Sequence, residues 1–150
     1  MRLVIQRVKE SSCVIDQIER SSIKHGLLIL VGIEPSDTME DVDWLAGKVS
    51  RIRLFDDESG VMNRSVVEAK GEILIISQFT LFASTKKGNR PSYIRAARPE
   101  VAIPLYESFI NRVKELTQVK VETGVFGAMM DISLINDGPV TIIIDSLLKE

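Results

Sequence analysis

Hydrophobic and polar positions alternate with a period of two over residues 2–8, where Leu3, Ile5 and Arg7 share one face and Val4, Gln6 and Val8 the other. That alternation predicts a strand. Residues 12–18 read as a second strand. Residues 23–33 read as a third, and their unbroken apolar run GLLILVGI has the length and β-branched content of a buried strand. The polar stretch Glu19–Ser22 offers a hairpin connection, though it lacks the Asn-Gly signal. The period then changes. Met39, Val42, Leu45, Ala46, Val49 and Ile52 fall at helical spacing and predict a helix over 38–51, capped by Ser36 or Asp37, with Glu40 and Asp41 in its first turn. Residues 51–55 read as a short strand, 56–60 as a turn, and 72–82 (EILIISQFTLF) as a strong strand or strand pair. A second apolar stripe, Val101, Ala102, Leu105, Tyr106, Phe109, Ile110, Val113 and Leu116, predicts a helix over 100–117. Pro104 must lie in its first turn, which moves the expected start toward Ile103. Strands follow at 118–122, 129–136 and 140–145, the last two parted only by Asp137-Gly138-Pro139. Strands, helix, strands, helix, strands is not a βαβ alternation. It predicts one α+β domain over 1–150, with a mostly antiparallel sheet curled into a barrel-like core and two main helices.

Composition narrows the function. A chain of 150 residues, 45% hydrophobic and 27% charged, has a globular profile. At that length folding buries roughly 70% of the unfolded surface. No apolar run approaches the ~20 residues of a membrane helix. The opening MRLVIQRV lacks the pattern of a signal peptide. A cytoplasmic protein is expected. Cys13 is the only cysteine and lies in an apolar run, where a small buried hydrophobe is the expected role. His25 is the only histidine, so neither a multi-histidine zinc site nor a Ser-His-Asp triad is expected. Neither a phosphate-binding P-loop nor a dinucleotide-binding glycine motif is present. An enzyme of this composition would rest on hydroxyls, backbone amides and the substrate itself. That suffices for an activated ester, because one backbone N–H aimed at a developing oxyanion is worth roughly 3–4 kcal/mol.

Three segments carry candidate chemistry, and each has two readings. Ser77-Gln78-Phe79-Thr80-Leu81 interrupts the apolar strand EILII with polar side chains. It is either an edge strand facing water or a site built of hydroxyls and amides. Asn136-Asp137-Gly138-Pro139-Val140-Thr141 is either a turn or a rigid presenter of two carbonyls. Residues 82–98 hold Lys86, Lys87, Arg90, Arg95 and Arg98 without an acidic residue, a charge of +5 that leaves −7 for the rest of a chain whose net charge is −2. This stretch is either a solvated loop or a phosphate contact.

Taken together, SQFTL at 77–81 and NDGPVT at 136–141 resemble the SQxTL and NxGPxT motifs of the D-aminoacyl-tRNA deacylase family. MRLVIQRV, GLLILVGI, RIRLFDDESGVMN, KKGNRPS and GVFGAMMDI are similar to family sequence in family order, so the resemblance spans nearly the whole chain. It implies a homodimeric hydrolase with its active site at the subunit interface and with no metal or cofactor. Ser77, Gln78, Phe79 and Thr80 would line the catalytic pocket, with Phe126 and Met130 as further lining. Gly138 and Pro139 would reach in from the partner, their peptide cis, and read the substrate. The basic loop, through Lys86, Lys87 and Arg90, would meet tRNA. GNRP stands where many members carry GRRP, which removes one possible phosphate contact. The implied reaction is hydrolysis of D-aminoacyl-tRNA, with rejection of L-aminoacyl esters and activity on glycyl-tRNA mischarged on tRNA(Ala). Rival readings are a non-catalytic RNA-binding module, a dimer that has lost activity, and a related deacylase with a trans Gly-Pro bond.

Overall fold

Strand β1 runs unbroken from Arg2 to Ile15, where the sequence predicts two strands. The structure, a computed structural model, describes residues 1–149. The first hairpin turns at Asp16 and Gln17, both at positive φ (51° and 65°), which suits a two-residue turn between twisted strands. Glu19–Ser22 therefore lies within β2 (Ile18–Ile23) and not in the connection. Strand β3 (Gly26–Gly32) pairs antiparallel to β1 and parallel to β6 (Glu72–Ser77), and β7 (Val121–Thr123) pairs parallel to β6. The sheet order is β2-β1-β3-β6-β7, and β8 (Asp131–Asp145) pairs antiparallel along the other side of β1. Side chains bring the two ends of this path together. Ser21 Oγ donates to the Thr123 carbonyl at 2.9 Å, and Lys120 Nζ donates to the Ser22 carbonyl at 2.9 Å. The result is a mixed sheet nearly closed into a barrel.

β3 explains its own apolar run, because both of its faces are covered. Leu27, Ile29 and Val31 join Leu3, Ile5, Ile73 and Ile75 in a core shared with the helices. Leu28 packs on the other face with Val8, Cys13, Ile23, Leu74 and Ile76. Cys13 is fully buried there, and burial pushes its thiol pKa up, so it packs as a small hydrophobe.

Helix α1 (Met39–Arg51) is capped by Thr38, which forms a reciprocal capping box with Asp41. Neither Ser36 nor Asp37 serves. Asp37 is drawn instead to the Met1 ammonium and to the Glu34 N–H, which it accepts at 2.8 Å. Helix α2 (Pro99–Thr117) starts at Pro99, earlier than Pro104 suggests. Pro99 stands at the first helical position, where its missing N–H is unused. Pro104 lies one turn inside, where the carbonyl it leaves free is that of solvent-exposed Glu100. Ala102, Tyr106, Phe109, Ile110 and Val113 form the buried stripe, while Val101 and Leu116 are exposed. The strand expected at 51–55 shrinks to β4 (Phe55–Asp56), paired with β5 (Met62–Arg64).

The largest departure is β8. The sequence reads Asp137-Gly138-Pro139 as a break between two strands, but β8 runs through it. Val8 pairs with Asn136 and Gln6 with Thr141, so Asp137–Val140 bulge out opposite Arg7. A proline is tolerated at such a bulge because no ladder bond is asked of it. No helix among the described residues is long and apolar enough to cross a membrane.

Candidate active site

β6 ends at Ser77, and parallel pairing gives out one residue later, where the Gln78 N–H donates to the Val31 carbonyl at 2.7 Å. The chain then winds into a one-turn 3-10 helix, Phe79–Phe82, where the sequence predicts a continued strand. The first N–H that this turn satisfies internally is that of Leu81, bonded to the Gln78 carbonyl at 3.2 Å. The N–H groups of Phe79 and Thr80 precede it and are left for an outside acceptor. Gln78 Nε2 donates to Thr80 Oγ1, so an amide and not a base engages the threonine hydroxyl.

Beside the turn lies a cleft of about 340 Å³. Ser77, Gln78, Phe79, Ala97, Ala102, Phe126 and Met130 are among the residues that line it. The lining is mostly apolar with a few convergent polar groups, the usual build of a small-molecule site. Phe126 is held by Tyr106, ring to ring at 5.8 Å, and the Tyr106 hydroxyl donates to the Ile75 carbonyl at 3.0 Å. Burial raises the Tyr106 pKa far above its ordinary value, against a Ser77 backbone hydrogen bond that lowers it, so the phenol stays protonated and structural. Phe79 is 56% exposed at the mouth and meets Tyr93 edge to face at 5.2 Å.

The structure thus brings Ser77, Gln78, Phe79, Phe126 and Met130 to one cleft, with Thr80 on the adjoining turn. It does not bring Gly138 and Pro139 there. They project from the bulge of β8, outside the cleft of their own chain. Their peptide is cis, and Gly138 has φ +135°. The bulge is shaped from within. The Val140 N–H donates to Asn136 Oδ1 at 2.8 Å, and Asn136 Nδ2 and Gln6 Nε2 both donate to Thr141 Oγ1. Asn136 and Thr141 of the NDGPVT segment thereby acquire a physical role as its inner ties.

Arg7, which the sequence pattern does not single out, holds the bulge from β1. It is only 8% exposed and donates to the carbonyls of Asp137 (3.1 Å) and Leu54 (2.7 Å) and to the Asp56 carboxylate (3.1 Å). Its signal was a cation on the buried face of β1. The Leu54 carbonyl is buried, and a charge-assisted bond there is worth roughly 1.5–3 kcal/mol. Arg7→Met is therefore expected to lower unfolding free energy by about 2 kcal/mol, read from urea denaturation, and to loosen the bulge.

Lys86, Lys87 and Arg90 are exposed in the loop between the 3-10 turn and α2. His25 is structural, edge-on to Phe55 at 5.2 Å and bonded to the Ala69 carbonyl. Among the described residues no group of three His, Cys, Asp or Glu side chains is placed to hold a metal ion.

A family model described as D-Tyr-tRNA(Tyr) deacylase matches residues 4–145. Curated relatives described as D-aminoacyl-tRNA deacylase include proteins of Parabacteroides distasonis, 60% identical, and Flavobacterium psychrophilum, 58% identical, each covering 100% of both chains. A solved structure titled c-Myc DNA Unwinding Element Binding Protein superposes with a TM-score of 0.91 at 36% identity, over 97% of this chain and 98% of that one. Another, titled as a probable eukaryotic D-amino acid tRNA deacylase, superposes at 0.82 and 16% identity over 95% and 97%, which speaks for the fold. An apolar cleft, a turn with unused N–H groups and a family match across nearly the whole length agree, and the chain belongs to the D-Tyr-tRNA(Tyr) deacylase family of hydrolases acting on aminoacyl-tRNA.

Proposed function

We propose that the active site is composite, made of the Ser77–Thr80 turn of one subunit and the Gly138-Pro139 bulge of a second copy. The observation that carries this reading is the position of Gly138 and Pro139, exposed on β8 and outside the cleft of their own chain. The rest of β8 supports it. The strand pairs only with β1 among the described residues, and Ile135 and Ile143 on it are 50% and 67% exposed, an apolar edge suited to a homodimer.

The substrate is an ester between an amino acid and the 3′ adenosine of tRNA. The task is to accept many D side chains and reject every L one. Apolar contacts cannot do that, because one methylene discriminates by only ~1–3 kcal/mol. A fixed main-chain wall at Cα can, by steric exclusion. Its carbonyls accept bonds from the substrate ammonium. Glycine has no side chain to collide with it, so glycyl-tRNA mischarged on tRNA(Ala) is a substrate too.

Hydrolysis proceeds by attack of water assisted by the tRNA 2′-hydroxyl. The N–H groups of Phe79 and Thr80 receive the oxyanion, and Gln78 and Thr80 orient the reacting groups. Thr80 is not the nucleophile, since its hydroxyl is engaged by Gln78 and a threonine needs a base to attack. The loop bearing Lys86, Lys87 and Arg90 contacts the tRNA backbone in the cytoplasm.

Subunit mixing tests the composite site. A Phe79→Pro dimer and a Gly138→Ala dimer are each expected to be nearly inactive. After co-refolding, hybrid dimers place both changes in one site and leave the other intact, so activity reappears. Mixtures that stay inactive despite verified subunit exchange would contradict a site shared between chains.

A further inference from the structure

We infer that Arg2 is a positioning residue for deacylation, holding the 3-10 turn that carries Phe79 and Thr80. The inference rests on the proposed role of that turn. Arg2 lies at the start of β1, opposite Asp145 at the end of β8. Its Nε and Nη2 meet the Asp145 carboxylate at 2.9 and 2.8 Å, which fixes the guanidinium plane against the barrel. Its remaining arm, Nη1, donates to the Leu81 carbonyl at 2.8 Å. The cation also lies over the Phe82 ring, 4.8 Å from its centroid.

These contacts fall where the turn most needs them. A one-turn helix leaves its last carbonyls without internal partners, and Arg2 satisfies that of Leu81. The turn is also bounded on the side of β3. A Cβ on Gly32 would lie 3.0 Å from the Leu81 Cβ and 3.1 Å from the Phe82 ring, so the chain rests directly on that glycine. With one side against β3 and its C-terminal carbonyl tied to an arginine, the turn has little freedom to move. Donors that must meet an oxyanion rather than a ground-state carbonyl require that rigidity.

The consequence is a specific kinetic pattern. Release of the turn shifts the oxyanion donors but leaves in place the basic loop and the cleft lining that lies outside the turn, Ile76, Ala102, Phe126 and Met130 among it. Loss of a transition-state contact lowers kcat without raising KM. Arg2→Ala is expected to lower kcat on D-Tyr-tRNA by about 10-fold or more, with KM within about twofold. Asp145→Asn removes the charge of the ion pair but leaves an amide oxygen to accept from Nε, so the guanidinium stays oriented and the Leu81 bond is kept; kcat is expected to stay within about threefold. If Arg2→Ala does not fold, Arg2→Lys replaces it, because one ammonium cannot serve Asp145 and Leu81 together; the same split is expected.

Three results would overturn the inference: kcat within twofold of wild type in the Arg2 variant, a loss carried by KM, or an equal fall of kcat in Asp145→Asn. Phe79→Pro, assayed alongside, separates the two levels of the reading. Full activity in Phe79→Pro would remove the role of the turn and this inference with it. An impaired Phe79→Pro beside a normal Arg2→Ala would remove only the role of Arg2.

Discussion

A Phe79→Pro variant is expected to keep its fold and lose about 100-fold or more in single-turnover deacylation, while Phe79→Ala loses only a fewfold. The comparison isolates one hydrogen atom. Phe79 is the first residue of the 3-10 turn, a position whose N–H no helical carbonyl accepts, so a proline costs little structure there. The preceding residue, Gln78, has φ −143° and ψ 81°, outside the helical region that a following proline forbids. Both variants lose the edge contact with Tyr93 and the exposed ring. Only the proline also loses the N–H. If that N–H meets the oxyanion, its removal is expected to cost the 10²–10³-fold seen when one oxyanion donor is deleted. Equal rates for the two variants would remove Phe79 N–H from the chemistry.

Gly138→Ala is the second large effect, expected at about 100-fold in kcat/KM on D-Tyr-tRNA, a loss of the size that a 1 Å misplacement produces. At φ +135° the position suits only glycine. A Cβ there would stand 2.7 Å from Val140 Cγ2 and 2.9 Å from Val140 N. That nitrogen donates the bond to Asn136 Oδ1 that shapes the bulge, so the methyl would displace Val140 and loosen its tie. Backbone strain of this kind costs on the order of 1–3 kcal/mol, which a folded protein survives. The defect is therefore expected in rate and in the ratio of D to L hydrolysis rather than in the fraction folded. Assays on both esters together with a thermal melt check this. A variant with normal rate and normal chiral ratio would show that the bulge has no part in reading the substrate.

The sequence displayed elements better than their ends, for reasons that lie in distant contacts. Leu3, Ile5 and Arg7 were legible as one face, and all are buried, but alternation could not say that Arg7 ends under four residues of β8. Gly138-Pro139 reads locally as a turn. What keeps β8 continuous is β1, a partner more than 110 residues away in sequence, together with Asn136 and Arg7. The sequence pattern offers Ser36 or Asp37 as the cap of α1, whereas Thr38 serves and Asp37 is taken by the Met1 ammonium. Phe79–Phe82 continues an apolar run and reads as strand, yet Leu81 and Phe82 fold back onto Gly32 instead.

The candidate site was legible chiefly through its two motifs. Ser77, Gln78, Phe79, Phe126 and Met130 do share one cleft. Ala102 was legible only as part of a helical stripe, and Ala97 and Arg2 carried no signal in their local sequence, because what recruits them is packing against elements that the chain reaches only after folding.

Chiral hydrolysis is open to direct test. Its most direct measurement is the rate at which purified protein, with EDTA present, cleaves matched D-Tyr-tRNA and L-Tyr-tRNA, with glycine mischarged on tRNA(Ala) as a third substrate. Rapid loss of the D and glycyl esters beside an intact L ester is the predicted result. Comparable loss of the L ester would contradict a main-chain wall at Cα, and survival of all three would contradict the proposed reaction itself.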